Sequence, residues 1–316
     1  MKFQISNFKF QILLLCAAVA CLAPAAAAQK KPKPALSEKD ARRVVAETRG
    51  FVLRTGAVKI KTVSPAGASP VLIEADVTEA VRLEWVEDER VPQTGGVFKQ
   101  KRWRAVEFRT GDRTWEEFDL VATPAFAPRL EAARRALEEL VTEFEARLRA
   151  ASESKNEEER KKAAEPLTRG ALTVKALSPM GSTAVAEVVV AATFALSRDA
   201  RGRWRVAEVS AGGESSGDLA ALWLSADARK AERARADLTF LSEALEAFRR
   251  ERGSYVVGRD SVVLLDHLSP RYSKRIVRLD PWHNPYRYEG NERSYTLASD
   301  GPDGKQGTPD DVTLSR

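Results

Sequence analysis

Four aspartates stand within twelve residues near the end of the chain, Asp300, Asp303, Asp310 and Asp311, separated mainly by glycine, proline and Thr308. Hard oxygens in a tight turn are what calcium requires, because the ion takes about six to eight oxygen ligands and accepts main-chain carbonyls beside carboxylates. The same composition suits a solvated acidic turn, and composition alone leaves both readings open. Pro302 and Pro309 restrict the backbone, which either preorganises such a loop or distorts it.

Other chemistry finds few residues to work with. The only cysteines, Cys16 and Cys21, lie in the first 28 residues, and the only histidines are His267 and His283. A zinc site or a Cys/His nucleophile is therefore not expected. The sequence has no Gly-x-Ser-x-Gly elbow, phosphate loop or dinucleotide fingerprint. Glu107 and Glu208 each lie a few residues after a tryptophan, in matching segments. Common ancestry accounts for that more simply than acid–base catalysis does.

Just before the aspartates stands Asp280-Pro281-Trp282-His283-Asn284-Pro285-Tyr286, then a Tyr-x-Leu strand (Tyr295 to Leu297), then Ser299-Asp300-Gly301-Pro302-Asp303-Gly304. In this order the stretches resemble the C-terminal region of the major pseudopilin of bacterial type II secretion, over about residues 228–316. The resemblance implies a calcium loop in which Asp303 and Asp311 match liganding carboxylates and Ser299 a carbonyl donor, with Asp310 as an extra ligand. It also implies binding and assembly rather than catalysis. Some features depart from the family: the loop is about three residues shorter, Asp300 replaces an apolar residue, Thr308-Pro309 stand where glycines are common, and His283 replaces a glycine. Prolines and aromatics in the 280–286 stretch are expected to pin the loop before a final hairpin.

The elements that must hold these residues begin with an export segment. Residues 1–28 pass from scattered lysines through an apolar run to Ala25-Ala26-Ala27-Ala28, which reads as a signal peptide cut after Ala28. The apolar run is too short to span a bilayer, so the mature chain is expected to have no transmembrane helix. A lipid anchor at Cys21 is the alternative, since Ala18-Val19-Ala20-Cys21 resembles a lipoprotein box. The chain is thus expected in the periplasm or secreted, or anchored to the membrane as a lipoprotein. A net charge of +6, with 43% apolar and 30% charged residues interleaved along the chain, suits a globular protein and not a nucleic-acid surface.

Between export segment and tail lies a repeat. Gly56 to Gly67 (GAVKIKTVSPAG) returns as Gly170 to Gly181 (GALTVKALSPMG) at a constant offset of 114. Trp103-Arg104-Ala105-Val106-Glu107 likewise matches Trp204-Arg205-Val206-Ala207-Glu208. Each copy reads as an antiparallel meander with a Ser-Pro-x-Gly turn. The first copy has an extra hairpin tip at Thr94-Gly95-Gly96. Helices at 37–48 and 128–150, the latter with an apolar stripe, are available to cover the meanders, and 152–165 reads as a charged helix extension or tether. A further helix, with Leu238, Leu241 and Leu245 on one stripe, opens the C-terminal domain and ends at Gly253.

The fold expected is α+β: a duplicated helix plus antiparallel meander region, then a pilin-like helix plus small antiparallel sheet domain. Its boundaries are 36–150 for the first repeat and connecting helix, 151–225 for the second, and 226–316 for the C-terminal domain. The function expected is that of a non-enzymatic envelope protein acting in secretion or pilus-like assembly, with other envelope or secretion-machinery proteins as partners and calcium as cofactor. About 190 residues of other material lie between the export segment and the family-like domain, so the usual pseudopilin filament is not expected. The rival is a periplasmic ligand-binding or enzymatic module with its pocket in the repeats.

Overall fold

The computed structural model describes residues 33–47, 55–90, 98–109, 115–122, 127–211 and 214–316. The first helix, α1 (Glu38–Ala46), starts where Ser37 Oγ accepts from the Asp40 N–H at 3.1 Å, a side-chain cap for one of the unpaired N–H groups of the first turn. After a 3-10 turn at Thr55–Ala57 come β1 (Val58–Val63), β2 (Val71–Arg90), β3 (Phe98–Arg109) and the two-residue β4 (Glu116–Glu117). The helices α2 (Phe118–Val121), α3 (Ala127–Ser152) and α4 (Glu157–Ala163) lead to β5 (Leu167–Arg169), β6 (Leu172–Met180), β7 (Thr183–Arg198), β8 (Trp204–Ala211) and β9 (Glu214–Asp218). The rest is α5 (Leu219–Arg252), α6 (Val262–Leu268), β10 (Arg287–Gly290), β11 (Tyr295–Ser299) and β12 (Val312–Ser315).

The nine strands β1 to β9 form one antiparallel sheet whose spine is the long pair β2 and β7, in register from Val71↔Leu196 to Glu84↔Thr183. On its other edge β2 takes β1 and then β3, and β7 takes β6 and then β8. The bulges correspond as well. The register shifts between Ile60 and Thr62 in β1 and between Val174 and Ala176 in β6, leaving Lys61 and Lys175 as the extra residues. On the far strands Val106 and Ala207 are skipped in the same way, opposite Arg82/Leu83 and Ala195/Leu196. Val77 pairs directly with Val190, and Val58 and Leu172 face these two in turn, so a local two-fold axis runs through the Val77/Val190 pair.

A period of two puts odd residues of β2 and even residues of β7 on one face, and that face is the buried one. Helix α1 covers the half holding Val71, Ile73, Phe194 and Leu196, while α3 covers the half holding Val81, Leu83, Ala186 and Val188. Each helix touches strands on both sides of the β2/β7 spine: α1 packs on β1 and β8, α3 on β3 and β6. The C-terminal domain is built on the second half of α5, where Leu238, Leu241 and Leu245 pack against Tyr295, Leu297 and Val312 of the three-stranded sheet β10-β11-β12. Fully burying such a leucine stabilises the fold by about 1.5–3 kcal/mol.

Two expectations change. The boundary at 226 falls inside α5, which begins at Leu219 and runs unbroken for 34 residues, since no glycine or proline interrupts 219–252 and alanine is frequent at its start. The charged 152–165 segment breaks into the end of α3 and the separate α4, which Asn156 caps by accepting from the Glu158 N–H. The export segment 1–28, Cys16 and Cys21, and the hairpin tip at Thr94-Gly95-Gly96 lie outside the described residues.

Candidate functional site

The 280–286 stretch behaves as a clamp. Asp280 Oδ1 accepts from the Trp282 and Asn284 N–H groups at 3.0 and 2.8 Å, and its Oδ2 accepts from Ser299 Oγ at 2.5 Å. Asn284 Nδ2 donates to the Gly301 carbonyl at 3.2 Å, and Trp282 Nε1 donates to Asp227 of α5 at 2.9 Å. Tyr286 is buried and donates to Asp237 Oδ2 at 3.1 Å; burial, and then the Asp237 charge, push its phenol well above the usual range. The clamp therefore ties α5, the 280–286 loop and the aspartate tail together.

The tail holds the four sequence-named ligands. Ser299, expected to contribute its carbonyl, is fully buried, and its hydroxyl donates to Asp280 Oδ2. Asp310 accepts from the Asp303 N–H at 3.3 Å, and donors, Thr308 foremost, hold its carboxyl below the usual range. Its carbonyl would lie 2.5 Å from a Cβ at Gly301, whose φ of +63° also demands glycine. Asp303 and Asp311 do come together: Oδ1 of each lies 3.3 and 3.2 Å from Thr308 Oγ1, and the Lys305 carbonyl oxygen lies 3.0 Å from it. The hydroxyl has a single proton for these three acceptors, and the carboxylates also accept from backbone, Asp303 Oδ1 from the Lys305 N–H and Asp311 Oδ2 from the Gly307 N–H, each at 2.9 Å. Among the described residues no three His, Cys, Asp or Glu side chains gather into a metal-binding group.

Arg287 was not among the expected site residues. Its guanidinium bridges Asp300 through Nε and Asp311 Oδ2 through Nη2, the latter at 3.2 Å, so a built-in cation already stands against two of the aspartates. The signal for it was register: Arg287 pairs with Ala298, which sets its side chain near the start of the loop. Glu107 and Glu208 are not brought together, for they sit on β3 and β8, on opposite sides of the β2/β7 spine.

A second feature lies where the sheet meets the C-terminal domain. Ala226 of α5 is fully buried and packs on Val206, Val209 and Leu222. Arg229 donates to the Ala122 carbonyl at 2.6 Å, and buried Lys230 lies 2.6 Å from Glu116 Oε2. Beside this contact is a cleft of about 410 Å³ lined by Trp115 and Glu117 from the sheet and by Arg275, Ile276, Arg278 and His283 from the C-terminal loop. It belongs to the junction, not to the interior of either repeat.

Residues 222–315 match the family Type II secretion system (T2SS), protein G. The type II secretion system core protein G of Escherichia coli (strain K12) is 36% identical over 94 residues, covering 26% of this chain and 65% of that protein. The chain thus spans just under two thirds of the curated relative that it matches. No solved structure matches it. Among the described residues, no helix is long and apolar enough to cross a membrane.

Proposed function

From a C-terminal domain of the type II secretion protein G family, carried on a nine-stranded sheet domain, we propose a non-enzymatic role in protein secretion or pilus-like assembly at the cell envelope, exerted by protein–protein binding. The observation that carries this reading is the match over 222–315, which spans α5, the clamp and the three-stranded sheet together. The signal-like residues 1–28 support a periplasmic or secreted location. The corresponding bulges at Lys61 and Lys175, and at Val106 and Ala207, support a duplication as the origin of the sheet domain.

Calcium is part of the proposal. Oxygens of Asp303, Asp311 and the Lys305 carbonyl each lie 3.0–3.3 Å from Thr308 Oγ1, which gathers hard oxygens of the kind calcium takes into one turn. Asp303, Asp311 and the Lys305 carbonyl would hold the ion, with Asp310, whose carboxylate accepts from the Asp303 N–H, and the Ser299 carbonyl as the further ligands the resemblance implies. Arg287 competes for Asp311, so binding releases one of its two partners. The ion would supply positive charge that lets these carboxylates sit together and thereby fix the turn.

The role is tested by affinity capture from envelope extract of the source cells, with the full chain and with a chain ending at residue 221. Recovery of secretion-machinery components by the full chain alone is expected. Equal recovery by both forms would move the binding function to the sheet domain and sink the proposal.

A further inference from the structure

His283 has a backbone that its residue type does not favour. Its φ is 70°, the left-handed region in which a Cβ crowds the following carbonyl, and it is the one non-glycine residue with positive φ among the described residues. For the turn alone, glycine would be the better choice. The side chain reaches the junction instead: Nε2 is buried without a hydrogen-bond partner and lies 3.8 Å from Glu116 Oε1, too far for a hydrogen bond. The other oxygen of Glu116 lies 2.6 Å from Lys230 Nζ, a charge contact without hydrogen-bond alignment. Glu116 thus has one oxygen facing an ammonium and one facing an imidazole that, while neutral, gives it little.

We propose that His283, Glu116 and Lys230 form a proton-operated latch between the sheet domain and the C-terminal domain. Protonation turns His283 into a cation facing Glu116 Oε1, and in a site this sheltered the attraction draws the 280–286 loop onto β4. Lys230 opposes the second positive charge, but it faces the other oxygen. The remaining charged groups around the cleft are largely occupied. From the sheet, Glu107 pairs with Arg82; from α5 and the loop, Arg233 and Arg275 both pair with Asp237, and Asp280 accepts three hydrogen bonds. Glu117 and Arg278 stand exposed at the mouth with opposite charges. Glu116 is therefore the group that a charged His283 meets.

The test is amide hydrogen exchange on the full chain at about pH 8 and about pH 5.5, either side of the ordinary histidine range, corrected for intrinsic rates. Peptides covering 116–122, 226–233 and 280–286 report the junction. A Glu79→Gln background removes a carboxyl elsewhere in the sheet domain that titrates in the same window. Protection in these peptides is expected to rise about three- to tenfold on acidification, the range for a sheltered charged pair. His283→Gln and His283→Gly should both abolish the rise, the glycine variant while relieving the backbone. Glu116→Gln combined with Lys230→Met removes the negative charge that a protonated His283 would meet, without leaving a buried ammonium unpaired, and should abolish it too. A rise that persists in His283→Gln, or in the double variant, overturns the latch.

Discussion

At Thr308 a single hydroxyl stands among oxygens of Asp303, Asp311 and Lys305, where a cation could be held by several of them at once. Calcium at about ten times its dissociation constant is expected to stabilise the chain by RT ln 11, roughly 1.4 kcal/mol. Asp303→Asn keeps an acceptor for the Lys305 N–H, now at 2.9 Å, yet removes a charge the ion needs. Scanning calorimetry with and without calcium should show the rise in the wild type and none in Asp303→Asn; equal rises would leave the tail a plain acidic turn. A second residue sets a pH dependence. Glu79 lies half-buried on the core face of β2 opposite Val188, and desolvation pushes its carboxyl up to about 7. A carboxyl raised in the folded state above its value of 4.5 favours folding while protonated. That stability is complete below about 4.5, falls as pH rises, and is gone above about 7. Melting of the wild type should therefore drop between about pH 5 and pH 8 by a few degrees, and Glu79→Gln should flatten that drop. The aspartates of the tail were legible from residue type and spacing. Their neighbours were not: the Ser299 hydroxyl bonds to Asp280, and Arg287 arrives through strand pairing that no spacing along the chain encodes.

Elements with long periodic patterns were readable, and those fixed by a few residues were not. The stripes of α3 and of α5 announce helices, and the alternation along β2 and β7 announces strands with one buried face. By contrast β4, β5 and β9 span two, three and five residues, too short to show a period, and exist because a neighbouring strand presents an edge. Turn chemistry also hides close approaches. Gly290 bridges Gly258, and a Cβ there would lie 2.1 Å from the Tyr288 hydroxyl and 2.7 Å from the Val256 carbonyl. Tyr288 is itself buried and donates to that carbonyl. Gly290→Ala must therefore break this hydrogen bond or spread the strand, at a cost of about 1–3 kcal/mol. Chemical denaturation should show this as a lower midpoint. Gly202→Ala, in an open turn at φ +73° with nothing near its Cβ position, should cost only the left-handed strain of about 1 kcal/mol.

For the molecule as a whole, residues 34–126 and 127–218, proposed above to be two copies of one meander, share their cores. Helix α1 closes a cluster containing Val58 and Ile73 of the first copy and Phe194 and Leu196 of the second, while α3 closes one containing Leu83 and Trp103 of the first and Val174 and Val188 of the second. Neither copy owns a complete core, so a segment holding one copy must expose the apolar face that the other would cover. The C-terminal domain is different: α5, α6 and the three strands bury Leu238, Leu245, Tyr286, Tyr288 and Leu297 among themselves, and the junction adds mainly Ala226 and the Lys230/Glu116 pair. The sequence suggested that the two segments are equivalent, but their mutual dependence arises only because each helix lies over strands of both. Residues 34–126 and 127–218 alone should each fail to fold, whereas 219–316 should fold alone, with little margin for a core of that size. Amide spectra decide this: dispersed signals for 219–316 and collapsed ones for either copy are expected, and mixing the two copies should recover dispersion if they meet across the Val77/Val190 pair. A single copy that gives sharp, dispersed signals unaffected by the other would show that each meander closes its own core and that the shared sheet is only a contact.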